Sequence, residues 1–325
     1  MMPSSTVVTV QNNKGSDTTP PTICESPSWS TTGVTVAGGL TSGSALNQLQ
    51  IPLDLFVDKQ DAIYIADSLN HRIVKWDQGA REGRLIIGGA GAGNESHQFH
   101  YITAMFIDKE GSIYVGDNHN HRIQKWKKDS TRGETIIGKF GRGTGLNQID
   151  NCWGLYVDRE FNVYVSEHSN HRVTKWTPGA EQGQIVAHVW KPVGIYVDEY
   201  NGNIYVASYH DDSIQQFNQN GTFIREIGKY LLDSPYDFVL IPDSDSNNRA
   251  VMIADSKHHR IVKMSMNNPH KLQIIAGVTG EQGNESNHLN EPRGIRFDSK
   301  GNLIVVDSNN NRVQNFMINN NNCDI

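Results

Sequence analysis

A cluster of asparagine, histidine and arginine recurs along this chain, and its residue types could do chemistry. The first copy reads Asn70-His71-Arg72. Imidazole nitrogens bind zinc and transfer protons near neutral pH, so the cluster suggests a catalytic or metal-binding role. Related segments occur at 119–126, 169–176, 257–264 and 309–316. A group that returns so regularly more often belongs to the framework, so the repeat has to be interpreted first.

Comparison of the chain with itself finds six related units. Each contains three short β-rich runs separated by turn residues, such as LFVD, IYIAD and HRIVKW in the first unit, and a fourth run such as RLIIGG follows. Four antiparallel strands in roughly 40 to 50 residues are typical of a propeller blade. We therefore predict an all-β, six-bladed β-propeller. Its units span 53–76, 103–126, 153–176, 193–217, 236–264 and 293–316.

The two ends of the chain are predicted to close the ring. The sixth unit ends after its third strand, whereas the segment 33–52 contains a strand that no unit claims. An N-terminal strand that completes the last blade would remove an exposed sheet edge. The expected organisation is a disordered segment (1–30), the propeller (31–318) and a polar C-terminal tail (319–325).

An acidic residue ends the second strand of most units, and an arginine follows five positions later. The fourth unit has Ser208 and Ser213 instead. Both members of the pair are lost together, as expected for an ion pair, because a lone, partly buried charge is costly. We predict structural ion pairs between Asp67 and Arg72, Asp117 and Arg122, Glu167 and Arg172, Asp255 and Arg260, and Asp307 and Arg312.

The recurring histidines are interpreted as framework. His71, His121, His171 and His259 lie in different units, so a propeller spreads them around a ring. Zinc needs its nitrogen ligands about 2.0–2.1 Å from one point. These four side chains cannot all converge on one ion.

Departures from the repeat are better candidates for a site. Asp54 and Asp237 interrupt a pattern of small residues near the start of the inner strand, and Arg293 lies in the blade between theirs. Trp153 and Tyr236 are placed on the same rim, where they would add stacking surfaces. Three interpretations stay open: a structural network, a binding surface at the channel mouth, and a metal or catalytic site.

The units resemble NHL repeats in their Asn-His positions, which are Asn70-His71, Asn120-His121 and Asn170-His171. The resemblance covers about residues 33–318. It implies a six-bladed propeller but no single function. NHL propellers occur in ubiquitin ligases, in RNA-binding regulators, in sensor domains and in a zinc lyase that matures amidated peptides, and related propellers include metal-dependent lactonases.

The leading expectation is a non-catalytic scaffold that binds a protein or peptide, without a cofactor. Three cysteines are too few for a zinc RING, so the chain would be a ligase-related NHL propeller without that module. The alternative is a lactonase-like, metal-dependent hydrolase or lyase at the channel mouth, which would need calcium or zinc. RNA binding ranks third, because the net charge of −6 disfavours a nucleic-acid surface.

A soluble, monomeric protein is expected. No apolar run is long enough to span a membrane, and no signal peptide is recognised, which favours the cytoplasm. A disulfide between Cys24 and Cys323 is the competing expectation. It would indicate an oxidising, extracellular compartment, as would a chain that is a fragment of a longer protein.

Overall fold

The protein is a six-bladed β-propeller. A computed structural model describes residues 8–9, 22–23, 27–39, 41–242 and 249–319. Within them, six four-stranded antiparallel sheets follow one another along the chain, each ordered from the inner to the outer strand. The predicted fold class is confirmed.

The strand bounds show how regular the blades are. Blades 1 to 3 comprise Pro52–Val57, Ile63–Asp67, Arg72–Trp76 and Arg84–Gly88; Ile102–Ile107, Ile113–Asp117, Arg122–Trp126 and Glu134–Ile137; Cys152–Val157, Val163–Glu167, Arg172–Trp176 and Gln184–His188. Blades 4 to 6 comprise Pro192–Asp198, Asn203–Ser208, Ser213–Phe217 and Phe223–Ile227; Pro235–Pro242, Arg249–Asp255, Arg260–Ser265 and Asn268–Gly277; Pro292–Phe297, Leu303–Asp307, Arg312–Phe316 and Val34–Gly38.

The N-terminal strand closes the ring as predicted. Val34–Gly38 pairs with the third strand of blade 6, so that Gly38 lies opposite Arg312 and Val34 opposite Asn315. Just outside it, Ser28–Trp29 pairs with Ile318–Asn319. Cys24 and Cys323 lie outside the described residues, and the proposed disulfide stays a prediction.

Antiparallel pairing divides the loops between two faces of the disc. The connectors from one blade to the next and the turns between second and third strands lie on one side, which we call the connector face. The turns between first and second strands and between third and fourth strands lie on the other, the turn face. The helices found in the described residues are short 3₁₀ turns on the connector face. None of them is long enough to cross a membrane. They span Ser68–Asn70, Asn118–Asn120, Ser256–His258 and Ser308–Asn310.

The core lies between neighbouring blades. All six residues of Pro52–Val57 and of Ile102–Ile107 are buried, because an inner strand is covered by blades on both sides. The third strands end in large rings, including Trp76 and Trp126, which pack against the adjacent sheets. Such strands need apolar residues on both faces, and this explains the continuous runs in the sequence.

The arginines of the repeat fasten the connectors to the blades. Arg72 Nε donates to Asp67 Oδ2 at 2.7 Å. Its terminal nitrogens donate to the main-chain oxygens of Ser44, Ala45 and Gln48 in the preceding connector. The other acid–arginine pairs have N–O distances of 2.6–2.9 Å and are Asp117 with Arg122, Glu167 with Arg172, Asp255 with Arg260, and Asp307 with Arg312.

Blade 4 shows why both charges can be absent. The connector that precedes it contains only residues 189–191, whereas the one before blade 2 spans 89–101. Ser208 Oγ donates to the main-chain oxygen of Trp190 at 2.7 Å and needs no arginine. The ion pair is therefore a clamp for a long connector as well as a tie within the hairpin.

Three of the four recurring histidines accept a backbone hydrogen bond, whereas His121 Nδ1 lies 3.2 Å from Asp150 Oδ1. His71 has a left-handed conformation with φ of 53°, and its Nδ1 accepts a hydrogen bond from the main-chain nitrogen of Tyr101 at 3.1 Å. His171 and His259 accept equivalent bonds from Lys191 and Glu291. Each bond joins a second-to-third-strand turn to the start of the next blade, so these imidazoles serve the framework.

Removal of the closing strand tests the ring. We expect deletion of residues 1–40 to lower the melting temperature by ~5 °C or more relative to deletion of residues 1–20, because the third strand of blade 6 becomes an open edge. Thermal unfolding followed by circular dichroism measures the difference. Equal melting temperatures for the two truncations would show that the closing strand contributes little.

Candidate functional site at the channel mouth

Four side chains from four blades meet at the channel mouth on the connector face, and we call them the mouth cluster: Tyr101, Trp153, Tyr236 and Arg293. The Tyr101 and Trp153 rings lie 6.3 Å apart at 71°, and the Trp153 and Tyr236 rings lie 6.0 Å apart at 81°. Arg293 Cζ lies 4.4 Å from the centre of the Tyr236 ring. Both edge-to-face pairs and a cation over a ring are favourable geometries.

Further rings extend the cluster outward. His119 stacks on Tyr101 at 5.0 Å, and His168 lies 5.6 Å from Trp153. Tyr209 follows at 6.3 Å from His168. Burial lowers the pKa of His168 to about 4, helped by the charge of Lys191, so this imidazole is neutral at pH 7.

Charged groups beside the rings are paired. Arg293 Nη2 donates to Glu291 Oε2 at 2.6 Å, and Lys257 Nζ donates to Glu291 Oε1. Burial raises the pKa of Glu291, but the hydrogen bond from Lys257 and the charge of Arg293 outweigh it and leave that pKa below its usual range. The carboxylate stays ionised and positions both cations.

Two buried polar atoms of the cluster have no hydrogen-bond partner among the described residues, Tyr236 Oη and Arg293 Nε. Burial raises the pKa of Tyr236 well above its usual range, so its phenol stays protonated and can donate. Buried donors without partners are uncommon and usually bind water or a ligand atom. Both atoms belong to the mouth cluster, which makes it the strongest candidate site.

Beneath the cluster, two carboxylates share one guanidinium. Arg296 Nη1 lies 2.6 Å from Asp237 Oδ2, and Arg296 Nη2 lies 3.3 Å from Asp54 Oδ1. The exposed fractions of Arg296, Asp54 and Asp237 are 1%, 3% and 5%. Asp54 Oδ2 also accepts from the main-chain nitrogen of Met105 at 2.8 Å. The arrangement is an interblade network closed to solvent.

The structure brings together three of the five residues predicted at the channel mouth, while a different arginine faces the two carboxylates. Trp153, Tyr236 and Arg293 do meet at the mouth. Arg293, however, pairs with Glu291, and Arg296 bridges Asp54 and Asp237. Successive residues of a strand point to opposite faces of the sheet. The direction of each side chain therefore decides which arginine reaches Asp54 and Asp237, and alignment of the units does not give that direction.

The sequence contained a signal for Arg296. It occupies the position held by aromatic residues in blades 1 to 4, namely Phe56, Phe106, Tyr156 and Tyr196. Tyr101 and Glu291 were missed because they end connectors outside the repeat units. Both have positive φ, of 67° and 49°, which turns the chain into the inner strand.

The described residues contain no group of three or more His, Cys, Asp or Glu side chains that could hold a metal ion. Asp54 and Asp237 are separated by Arg296, whose charge opposes a cation between them. The geometry of the mouth suits stacking and hydrogen bonding, with Tyr236 Oη and Arg293 Nε as donors.

Substitution of Arg296 tests the buried network. We expect Arg296→Met to lower the free energy of unfolding by about 3–5 kcal/mol, because two buried carboxylates lose their counter-charge. Arg293→Met is the matched control and should cost less, since Glu291 keeps Lys257. Urea unfolding measures both variants, and equal losses would contradict a special role for Arg296.

Protonation of His168 predicts a pH dependence. Its folded-state pKa of about 4 lies below the unfolded value of 6.5, so the unfolded chain takes up the proton first as the pH falls. The contribution of His168 to stability is complete above pH 6.5 and is lost between pH 6.5 and about 4. The free energy of unfolding of the native protein should fall more steeply across this window than that of His168→Gln, and parallel curves would refute the assignment.

The NHL repeat family model matches residues 100–126 and 289–316. A search of curated proteins gives no match. A protein of unknown function from Bacteroides thetaiotaomicron VPI-5482 superposes with a TM-score of 0.67 at 13% identity, over 92% of this chain and 78% of that one. An auxiliary nutrient binding protein from Bacteroides ovatus ATCC 8483 gives 0.66 at 10%, over 90% and 78%.

A catalytically inactive virginiamycin B lyase from Staphylococcus aureus, solved with quinupristin, gives a TM-score of 0.54 at 12% identity, over 88% of this chain and 98% of that one. Identities this low show a shared fold alone. The matched repeats lie in blades 2 and 6. Each has the short 3₁₀ turn that ends at a left-handed residue, His121 or Asn311, and the acid–arginine pair found in neighbouring blades. The chain therefore contains NHL repeats in blades 2 and 6 of a six-bladed β-propeller.

Proposed function

We propose that this propeller is a non-catalytic module that binds a peptide segment of a partner protein on its connector face. The observation that carries the proposal is the mouth cluster, in which Tyr101, Trp153, Tyr236 and Arg293 converge from four blades. Trp, Tyr and Arg are the residues enriched at the energetic centres of protein interfaces. Rigid rings also lose little conformational entropy on binding.

The connectors differ in length around the ring, so one side of the connector face is more covered than the other. Long connectors at 41–51, 89–101, 138–151 and 278–291 surround blades 6, 1, 2 and 3, whereas the connectors on either side of blade 4 contain only residues 189–191 and 228–234. The face is therefore open over blade 4. An extended peptide anchored at the mouth would leave across this opening.

Aromatic side chains continue along the open side. Trp190 lies in the short connector, is 47% exposed and stacks on His171 at 4.1 Å and 7°. Nearer the mouth, His168 contacts Trp153 and Tyr209 contacts His168. These rings offer successive apolar contacts, and Lys257 with Glu291 offers polar contacts at one end.

The enzymatic alternative receives less support. A lactonase-like hydrolase or lyase would need calcium or zinc at the mouth, where the described residues provide no converging ligands. The similarity to the lyase is one of fold. RNA binding is disfavoured by the net charge of −6 and by the pairing of Arg293 and Lys257 with Glu291. Metal analysis of protein purified without chelator tests the enzymatic alternative, and one equivalent of zinc or calcium would favour it.

Peptide selection tests the proposed function. We expect peptides selected from a random display library on the native protein to bind roughly tenfold or more weakly to Trp153→Ala, because the central ring of the mouth cluster is lost. Isothermal calorimetry measures the affinities, and circular dichroism confirms that the variant is folded.

Tyr200→Ala is the matched control. Tyr200 is a 96% exposed ring on the turn face, so its loss should leave the affinities unchanged. Selected peptides that bind Trp153→Ala as tightly as the native protein would refute a binding role for the mouth cluster.

A further inference from the structure

The turn face contains equivalent clefts between neighbouring blades, and the repeat allows them to be compared. Each cleft lies between the outer strand of one blade and two turns of the next. One position, in the turn between the first and second strands, decides how the cleft is filled. It is occupied by Asp61, Gly111, Phe161 and Gly301 in blades 1, 2, 3 and 6.

In the cleft between blades 2 and 3, the chain fills the space with its own ring. Phe161 lines this cleft, and the ammonium groups of Lys109 and Lys125 lie 4.7 and 5.4 Å from the centre of its ring. What remains is divided into two pockets of about 200 and 250 Å³.

In the cleft between blades 5 and 6, a residue from elsewhere in the chain provides the ring. Gly301 has no side chain, and Trp29 of the N-terminal segment occupies the space. Trp29 Nε1 donates to the main-chain oxygen of Gly301 at 2.9 Å, and its ring lies 5.8 Å from Phe297. Only 5% of Trp29 is exposed.

Between blades 6 and 1 the gap is bridged by hydrogen bonds. Asp61 accepts bonds from the main-chain nitrogen and the hydroxyl of Ser299 at 2.7 and 2.8 Å. Three equivalent clefts are therefore partly filled or bridged in three ways: by a local ring, by a ring from a distant segment and by a polar bridge.

The cleft between blades 1 and 2 stays open. Gly111 leaves a space of about 590 Å³, whose lining includes the apolar side chains of Phe56, Ile87, Ile107 and Trp126. No described aromatic side chain inserts here as Phe161 and Trp29 do in the equivalent clefts. The segments 1–26, 243–248 and 320–325 contain no Phe, Trp or Tyr, so they cannot supply the ring either.

The rim of this cleft is basic. Lys59, Arg84, Lys109, Lys127 and Lys128 line it. Of its acidic residues, Asp58 is paired with Lys75 at 2.8 Å and Asp108 with Lys125 at 3.6 Å, which leaves Glu110 and Asp129 beside Arg84, Lys127 and Lys128. This local excess of positive charge contrasts with the net charge of −6 for the chain.

We propose that the cleft between blades 1 and 2 binds an aromatic side chain carried by an acidic peptide segment of a partner protein. The apolar floor takes the ring, as it takes Phe161 or Trp29 in the equivalent clefts, and the basic rim attracts the flanking carboxylates. This site lies on the turn face and is independent of the function proposed for the mouth cluster.

A designed peptide tests the proposal directly. The probe is fluorescein-labelled Asp-Glu-Trp-Glu-Asp, and fluorescence anisotropy measures its binding to the full chain. We expect saturable binding that weakens roughly tenfold or more when the tryptophan of the peptide is replaced by alanine, or when its acids are replaced by lysines.

Gly111→Phe is the decisive variant, because it places a phenylalanine ring in the cleft as Phe161 does in blade 3. Gly111 has φ of 80°, and Phe161 adopts 63° at the equivalent position, so the backbone accommodates phenylalanine. A Cβ at position 111 would meet Lys128 at 3.4 Å, an ordinary contact. We expect a folded variant, since blade 3 carries phenylalanine at a similar positive φ, and a roughly tenfold or greater loss of binding.

The double variant Lys127→Glu/Lys128→Glu keeps the cleft open and reverses part of the rim charge, so it decides the question if Gly111→Phe fails to fold. It should weaken binding in a salt-dependent manner. Trp153→Ala should bind the probe as the native protein does. Undiminished probe binding to a folded Gly111→Phe variant, or to the double variant, would overturn the proposal. Binding of free indole-3-acetate with the affinity of the peptide would also overturn it, because the flanking acids would then contribute nothing.

Discussion

The architecture depends on a buried pair of opposite charges at the base of each long connector. Arg72 joins Asp67 and three main-chain oxygens of the connector before it, and Arg122, Arg172 and Arg312 repeat the device. In blade 5, Arg260 pairs with Asp255 and holds its shorter connector through the main-chain oxygen of Leu231. Burial raises the pKa of Asp67, and the hydrogen bonds to Asn70 and Arg72 counteract that effect. Loss of either charge would leave the other without compensation, so the two residues occur or disappear together.

Because the clamp fixes the connectors, it also determines which parts of the connector face are covered. Blade 4 has serines in place of the pair and a connector of only residues 189–191 before it. The interruption of the repeat and the open side of the connector face are therefore one structural event. The aromatic residues Trp190 and Tyr209, which belong to the proposed binding surface, lie at this interruption, where a site is expected because it departs from the repeat.

The sequence allowed the fold and the clamp pairs to be predicted because both repeat with fixed spacing. It could not identify Arg296 as the partner of Asp54 and Asp237, since that requires knowing which side chains cross between blades. The open cleft at Gly111 was also out of reach. Trp29 lies far from Gly301 in sequence, so only the folded ring shows that the cleft at Gly301 is filled while the cleft at Gly111 is open.

The closing strand has a consequence for synthesis of the chain. Val34 pairs with Asn315, so all residues through the third strand of blade 6 must leave the ribosome before this sheet can form. Until then, Val34–Gly38 has no partner strand, and blade 1 lacks its neighbour on one side. Pairing between such distant segments is slow, and an unpaired strand is prone to associate with other chains. The nascent propeller is thus most vulnerable to aggregation just before its last blade is completed, a period in which a chaperone would be of most use.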